Sequence, residues 1–313
     1  MGVRRLFLFA SYDKQGVIDD TVLHYLRCLS GYGDIVFVMD NIAPNAELNK
    51  LNDIPNVLYK LAERHGEYDF GSYKRGFQWA QKNKILSKYD WVYLVNDSVY
   101  GPLFDIKKIL ENLESSGADL VGMIDFKNKF TPVQVQSWFV GLSRKVANAS
   151  FISNFMKNIR PQTDKQLIVL KYEVGLSQMI LRRGYKMATF ISGENGDLIH
   201  RVYDKPLELL KEGLPFLKKQ ALMNLQGMQY LYPYTSEKFV DQIYHNAVRT
   251  GISLVPLSKA QYEKPKYEKS YRLTLWSIPL VTIYRQRHDF SNLVCYKVFL
   301  LDFVPLLKIL RRK

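Results

Sequence analysis

The chain has 313 residues with 44 Lys plus Arg against 30 Asp plus Glu, a net charge of +14 and a sequence pI near 9.5. With 47% hydrophobic and 24% charged residues it has the composition of a packed globular protein, which excludes a disordered or fibrous chain. Two distant cysteines, Cys28 and Cys295, exclude a disulfide scaffold or a cysteine-based metal site and point to a reducing compartment.

Arg4 and Arg5 precede an apolar run, as in a signal peptide. The run from Leu6 to Ala10 is too short for an h-region and ends in Ser11, Tyr12 and Asp13, so a first core strand is expected. A helix follows over 17–33, then a buried strand over 34–41. The segment 56–61 reads as a third strand, 72–87 as a helix and 90–98 as a strand ending in polar residues. A helix over 103–117 leads to a strand over 119–125. This alternation predicts an α/β fold with a mostly parallel sheet flanked by helices. Ligands of such sheets bind beyond the carboxyl ends of the strands. The residues that end these strands are Ser11 to Asp13, Asp40 and Asn41, Asn96 to Ser98, and Asp125.

Beyond Asp125 the pattern changes. The segment 136–143 alternates as an edge or mixed strand would, and 145–160, 171–184, 205–224 and 236–251 read as helices. A charged, Pro-broken linker is expected over 264–268. No stretch reaches the roughly 18 apolar residues needed to span a bilayer.

Several positions carry two readings. Asp97, between Asn96 and Ser98, suits a divalent cation that would hold phosphate, and equally a capping turn. Asp40 suits a nucleobase or ribose contact, or a turn. The segment 65–76 offers Asp69, Gly71 and Lys74 as a phosphate loop, or as a plain helix N-terminus. Glu173, near the expected start of a helix, is either a general base or a carboxylate favourable to the helix dipole. The five histidines have no metal-ligand spacing, which argues against zinc, and His200 reads as a surface residue rather than a cation or phosphate contact. No serine or cysteine lies in a nucleophile motif.

Four stretches, HGEYDFGSYKRGF, DWVYLVNDSVYGPL, VQSWFVGL and YEVGLSQMILRRGYKMA, stand in one order together with GLPFLKK. As an ordered set they resemble the rhamnan synthesis protein F family of bacterial polysaccharide assembly, over about residues 5–220. The resemblance implies a GT-A-type glycosyltransferase: a nucleotide-sugar-binding catalytic domain at 1–205 and a helical C-terminal region at 206–313. It implies Mg²⁺ or Mn²⁺ at a D-x-D motif, here reduced to Asn96, Asp97 and Ser98, with Asp97 as the metal ligand. It also implies donor contacts from Ser11, Tyr12, Asp13, Asp40, Arg64, Asp69, Gly71, Lys74, Asn96 and Ser98. Glu173 falls at the position of the inverting base, taking a proton from an acceptor hydroxyl in a single displacement. Gln136 and Trp138 are acceptor-side candidates, with a core tryptophan the competing reading; Arg64 and Lys74 offset donor charge or are simply solvated. Rhamnose is suggested only by the family's name, and depletion of the D-x-D carboxylates keeps an inactive scaffold as an alternative.

From residue 264 to the end there are eleven Lys or Arg against three Asp or Glu, among many Leu, Ile, Val and Phe. That mixture predicts a basic amphipathic helix over about 270–313 lying on an anionic membrane surface, against the alternative of a helical cap on the catalytic domain. The expected location is the cytoplasmic face of the cell membrane, where a lipid-linked saccharide acceptor would be met. Nucleic acid is not expected as a partner, because the surplus gathers in an apolar tail and no nucleic-acid module is present.

Overall fold

The computed structural model describes residues 2–127, 131–162, 165–193, 200–225, 227–252, 268–275, 278–287, 293–300 and 304–312. In chain order the elements begin β1 (Arg5–Ser11), α1 (Asp20–Ser30), β2 (Asp34–Met39), α2 (Asn45–Asn49), β3 (Val57–Ala62) and α3 (Tyr68–Lys82). They continue β4 (Trp91–Asn96), β5 (Val99–Tyr100), α4 (Lys107–Ser115), β6 (Leu120–Phe126), β7 (Gln134–Val135) and β8 (Phe139–Ser143). Next come α5 (Arg144–Ala147), α6 (Ser150–Lys157), α7 (Lys165–Ile168), a π-helical stretch (Val169–Val174), α8 (Gly175–Leu181) and β9 (Met187–Ile191). Then α9 (Arg201–Asp204), α10 (Pro206–Lys211), β10 (Leu217–Lys218) and α11 (Glu237–Thr250) precede β11 (Glu268–Leu275), β12 (Ile278–Arg287), β13 (Leu293–Leu300) and β14 (Val304–Arg312).

The central sheet runs β3-β2-β1-β4-β8-β6-β7, with β9 also paired to β6. β1, β2, β3 and β4 are mutually parallel, and β8 enters antiparallel between β4 and β6. The segment expected as an edge or mixed strand is therefore an interior antiparallel one. Both faces of the sheet are covered, which is why β1 and β4 read as unbroken apolar runs. Phe7, Phe9 and Tyr93 pack with α1 and α4 on one side. Leu6, Leu8 and Leu94 pack with α3 and α6 on the other. The mostly parallel α/β sheet flanked by helices is as expected.

Three expectations change. The helical reading of 205–224 holds for α10 and, as a 3-10 helix, for Lys219–Asn224; between them Gly213, at positive φ, and Pro215 stop α10, and Leu217 and Lys218 pair with Tyr100 and Val99. The division expected at 205/206 also differs, since one compact unit comprises Met1–Leu225 with Gln242–Ser253 and the other Gln226–Asp241 with Leu254–Lys313.

The tail expected as an amphipathic helix is a four-stranded antiparallel sheet in the order β11-β12-β13-β14. Its Val, Ile, Thr, Tyr and Phe favour strands, while Pro279 and Pro305 would break a helix and are accommodated near strand starts. Residues 264–267 of the expected linker lie outside the described residues; Glu268 opens β11.

Candidate active site

The parallel strands end together, and their ends open into a cleft of about 830 Å³. Tyr12, Asp13, Asp40, Arg64, Asp69, Asp97 and Ser98 all line it. Ser11 and Asn96, both buried, lie beneath. Ser11 Oγ donates to Asp97 Oδ2 at 2.8 Å and the Tyr12 amide to the same oxygen at 3.2 Å, joining the ends of β1 and β4. Burial pushes the Asp97 carboxyl up, against the opposing charge of Lys219 and these two hydrogen bonds.

Asp40 ends β2 and organises the next loop. Its Oδ1 accepts from the His65 and Gly66 amides, both at 2.9 Å, and meets Arg64 Nη1 at 3.0 Å. The exposed Arg64 guanidinium lies 5.6 Å from the centroid of the half-exposed Tyr12 ring, forming a flat cationic face on the cleft. Asp13 is held differently: Oδ1 accepts from the Gln15 and Val17 amides, and Oδ2 pairs with Arg249 Nη1 at 2.7 Å. Arg249 also reaches Asp19 Oδ2 at 2.8 Å. Burial disfavours the Asp19 charge, but hydrogen bonds from Arg249 and Asn246 hold its carboxyl below the usual range. Asp19 caps α1 as well, accepting from the Thr21 and Val22 amides.

Seven expected site residues are not among those lining the cleft: Ser11 and Asn96 beneath it, Glu173, and Gly71, Lys74, Gln136 and Trp138. Gly71 closes the first turn of α3, where its amide donates to the Glu67 carbonyl. A Cβ there would stand 2.3 Å from Glu67 Cβ and 2.6 Å from His65 Nδ1, so this glycine permits a close approach and is no phosphate loop. Lys74 Nζ donates to Glu67 Oε1 at 2.7 Å and to the Ile159 carbonyl at 3.0 Å, tying α3 to the end of α6. Trp138 is 2% exposed, packs edge-on against Phe216 and donates from Nε1 to Gln136 Oε1 at 3.1 Å. Gln136 and Trp138 are core partners, which removes them as a stacking platform for an acceptor sugar.

Glu173 is not at a helix N-terminus. It sits in the π-helical stretch between α7 and α8, so the dipole reading falls away. Ser137 Oγ donates to its Oε2 at 2.5 Å. Glu173 is close enough to Tyr203, which lines the cleft, for its charge to raise that phenol together with burial. His200 is half-buried rather than fully exposed: its ring stacks on Phe126 with centroids 4.4 Å apart, and burial, then Lys218, lower its pKa.

Sequence reasoning missed Asp19, Ser137, Tyr203, Lys218, Lys219, Asn246 and Arg249. The signals among them were the Lys-Lys pair that closes GLPFLKK and the place of Ser137 inside VQSWFVGL.

The D-x-D position can be tested for a metal. Asn96 Oδ1 accepts from the Ser98 amide at 3.1 Å and from the Ser98 hydroxyl. Asn96 Nδ2 donates to Asp69 Oδ2 at 2.9 Å, and Lys218 Nζ donates to Ser98 Oγ at 2.7 Å. Among the described residues no group of three or more His, Cys, Asp or Glu is arranged to hold a metal ion. A lone buried carboxylate with an ammonium beside the next motif residue does not fit a strongly held Mg²⁺ or Mn²⁺.

A mostly parallel sheet flanked by helices, with a cleft of aspartates and cations at its strand ends, defines an α/β protein with a polar ligand-sized cleft. The sequence profile described as rhamnan synthesis protein F matches residues 35–255, and the chain belongs to that family. Among curated proteins, virulence protein VirA of Vibrio anguillarum is 24% identical over 250 residues, covering 70% of this chain and 78% of its own. Among solved structures, a protein classed as a nucleotide-diphospho-sugar transferase from Desulfovibrio desulfuricans G20 is similar at 14% identity and a TM-score of 0.34, over 62% of this chain and 81% of that one. Residues 1–349 of Staphylococcus aureus TarS, in complex with UDP, are similar at 10% identity and a TM-score of 0.35, over 82% and 76%. Likenesses this low carry no argument about chemistry.

Proposed function

We propose that the protein is an inverting transferase that moves a sugar, with rhamnose the first to test, from a nucleoside-diphosphate donor to a lipid-linked glycan acceptor. The observation that carries this reading is the cleft at the strand ends. Its volume, about 830 Å³, lies within the range of small-molecule sites, and its walls alternate carboxylates with cations. In this reading the Tyr12 and Arg64 face takes the nucleobase, and Asp40 holds the loop that carries Arg64. Asp97 and Ser98 stand at the diphosphate end.

Transfer is a single displacement. The acceptor oxygen forms a bond to the anomeric carbon as the bond from that carbon to the diphosphate oxygen breaks, and the electron pair leaves with the diphosphate. Glu173 takes the acceptor proton, with the hydroxyl brought beside Tyr203. The test is a screen of sugar nucleotides with lipid-linked acceptors that reads nucleoside diphosphate release and the anomeric configuration of the product. Retention of configuration would overturn the inverting reading, and donor binding without turnover would favour an inactive scaffold.

The same reading places the protein on the cytoplasmic membrane face, supported by the basic composition of the tail. At about 1 kcal/mol per basic residue near an anionic surface, several of its eleven Lys and Arg would suffice for reversible attachment. Among the described residues no helix is long and apolar enough to cross a membrane. Sedimentation with phosphatidylserine vesicles tests the attachment; equal binding by a chain lacking residues 268–313 would exclude the tail.

A further inference from the structure

The residues that follow Asn96 and Asp97 are joined to a distant segment. β5 pairs antiparallel with β10, placing Lys218 opposite Val99 and Leu217 opposite Tyr100. The Lys219 amide then donates to the Ser98 carbonyl at 3.0 Å. Two consecutive lysines are thus fixed by backbone hydrogen bonds alongside the depleted D-x-D motif. Lys218 Nζ sits on Ser98 Oγ at 2.7 Å, and Lys219 Nζ lies 5.5 Å from the centroid of the Tyr100 ring. Both lysines line the cleft with Asp97.

Two other cleft cations are differently engaged, while Lys14 is exposed. Arg249 is paired with Asp13 and Asp19, and Arg64 with Asp40. A divalent ion ligated by Asp97 and Ser98 would face the Lys218 ammonium at ligand distance from the same hydroxyl. Like charges so close oppose that ion, whereas a diphosphate anion is attracted by both lysines.

We propose that Lys218 and Lys219 occupy the role of the divalent cation, holding the donor diphosphate directly so that donor binding is independent of metal. During transfer, as the electron pair of the breaking anomeric bond passes to the diphosphate oxygen, the two ammonium groups donate hydrogen bonds to the phosphate oxygens and offset the charge that develops there. This inference rests on the nucleotide-sugar reading of the cleft.

Isothermal titration of the full chain with UDP, dTDP, GDP, CDP and ADP, first in EDTA and then in Mn²⁺, separates the two. At least one diphosphate is expected to bind in EDTA, with Mn²⁺ changing its Kd by less than about threefold. Lys218→Met and Lys219→Met are each expected to weaken that diphosphate by about tenfold, a typical loss for one charged hydrogen bond. The parent nucleoside should bind equally well to all forms, and the doubly Arg-substituted chain should retain the diphosphate. Binding that appears only with Mn²⁺, or Met variants that hold the diphosphate as wild type does in EDTA, overturns the proposal. The metal comparison uses the wild-type chain and so stands even if a variant misfolds. If no diphosphate binds under either condition, the nucleotide-sugar reading itself fails and this inference with it.

Discussion

Ser137 and Glu173, 36 residues apart in sequence, are joined by a 2.5 Å hydrogen bond from the serine hydroxyl to Glu173 Oε2. The Ser137 carbonyl also accepts from the Tyr73 hydroxyl at 3.0 Å, so the segment before β8 is fixed both to α3 and to the π-helical stretch. A carboxylate held at this irregular turn has a set orientation, which suits the proposed base, and burial, then its charge, raise the Tyr203 phenol. Glu173→Gln is therefore expected to lower kcat by about 10²–10⁴, the usual contribution of a general base. Donor Kd should not change. Ser137→Ala should lower kcat less, and Ser137→Thr should restore it. Full turnover by Glu173→Gln, read as nucleoside diphosphate release, would place the base elsewhere.

Gly71 separates a packing role from a phosphate-binding one. A methyl group there collides with Glu67 and His65, so Gly71→Ala should reduce stability by about 1–3 kcal/mol. Nucleoside diphosphate affinity at a temperature where the variant is folded should match wild type. Denaturant unfolding and calorimetry together check this, and an intact fold with lost diphosphate binding would restore the phosphate-loop reading.

Asp40→Ala leaves the part-buried His65 and Gly66 amides without their acceptor, at a total cost of about 1–3 kcal/mol. Arg64 loses its carboxylate partner in the same step and keeps only the Asp40 carbonyl at 3.1 Å, so donor affinity should fall as well. Asp40→Asn keeps an acceptor oxygen and should recover most of the stability, but less of the donor affinity. Urea unfolding and titration of the same samples give both readings.

His65 gives the fold an acid limit. Burial first, then the Arg75 cation, lower its pKa from 6.5 to about 4, and its ring atoms meet the Glu67 amide at 3.1 Å and Ser72 Oγ at 3.0 Å. Between about pH 4 and 6.5 the unfolded chain binds a proton at this site that the folded chain does not. Its contribution is complete above 6.5 and is lost as pH falls toward 4. Unfolding free energy should therefore rise with pH across this window, and His65→Gln should flatten the slope. An unchanged slope in the variant would assign the acid limit to other groups.

Trp138→Phe removes the donor that satisfies the buried Gln136 carbonyl oxygen and should cost about 1–3 kcal/mol. Acceptor KM should stay at the wild-type value, because the indole belongs to the core. A raised KM with unchanged stability would return Trp138 to the acceptor side.

Legibility followed the range of the interactions. β1, β2 and β4 are visible as apolar runs because burial on both faces leaves a local mark, and the end of each run points to Ser11, Asp40 and Asp97. The short β10 leaves no such mark: two residues in a Lys-rich stretch pair with Val99 and Tyr100, over a hundred positions away. The tail misleads because basic and apolar residues mix in it without a clear period, and Pro279 and Pro305 were stronger evidence against a helix than the charge was for one.

The sequence by itself determined the mostly parallel α/β sheet, the end of it at which the cleft opens, and the ordered motifs of the rhamnan synthesis protein F family. These rest on periodicity, strand burial and residue identity along the chain. Only the tertiary structure decided which polar side chains share the cleft. Tyr12, Asp40, Arg64 and Asp97 meet there with Lys218, Lys219 and Arg249, while Gly71, Lys74, Gln136 and Trp138 serve packing. The reason is physical: a side chain's direction and partners are fixed by the neighbours that pack around it, and those neighbours arrive from distant parts of the chain.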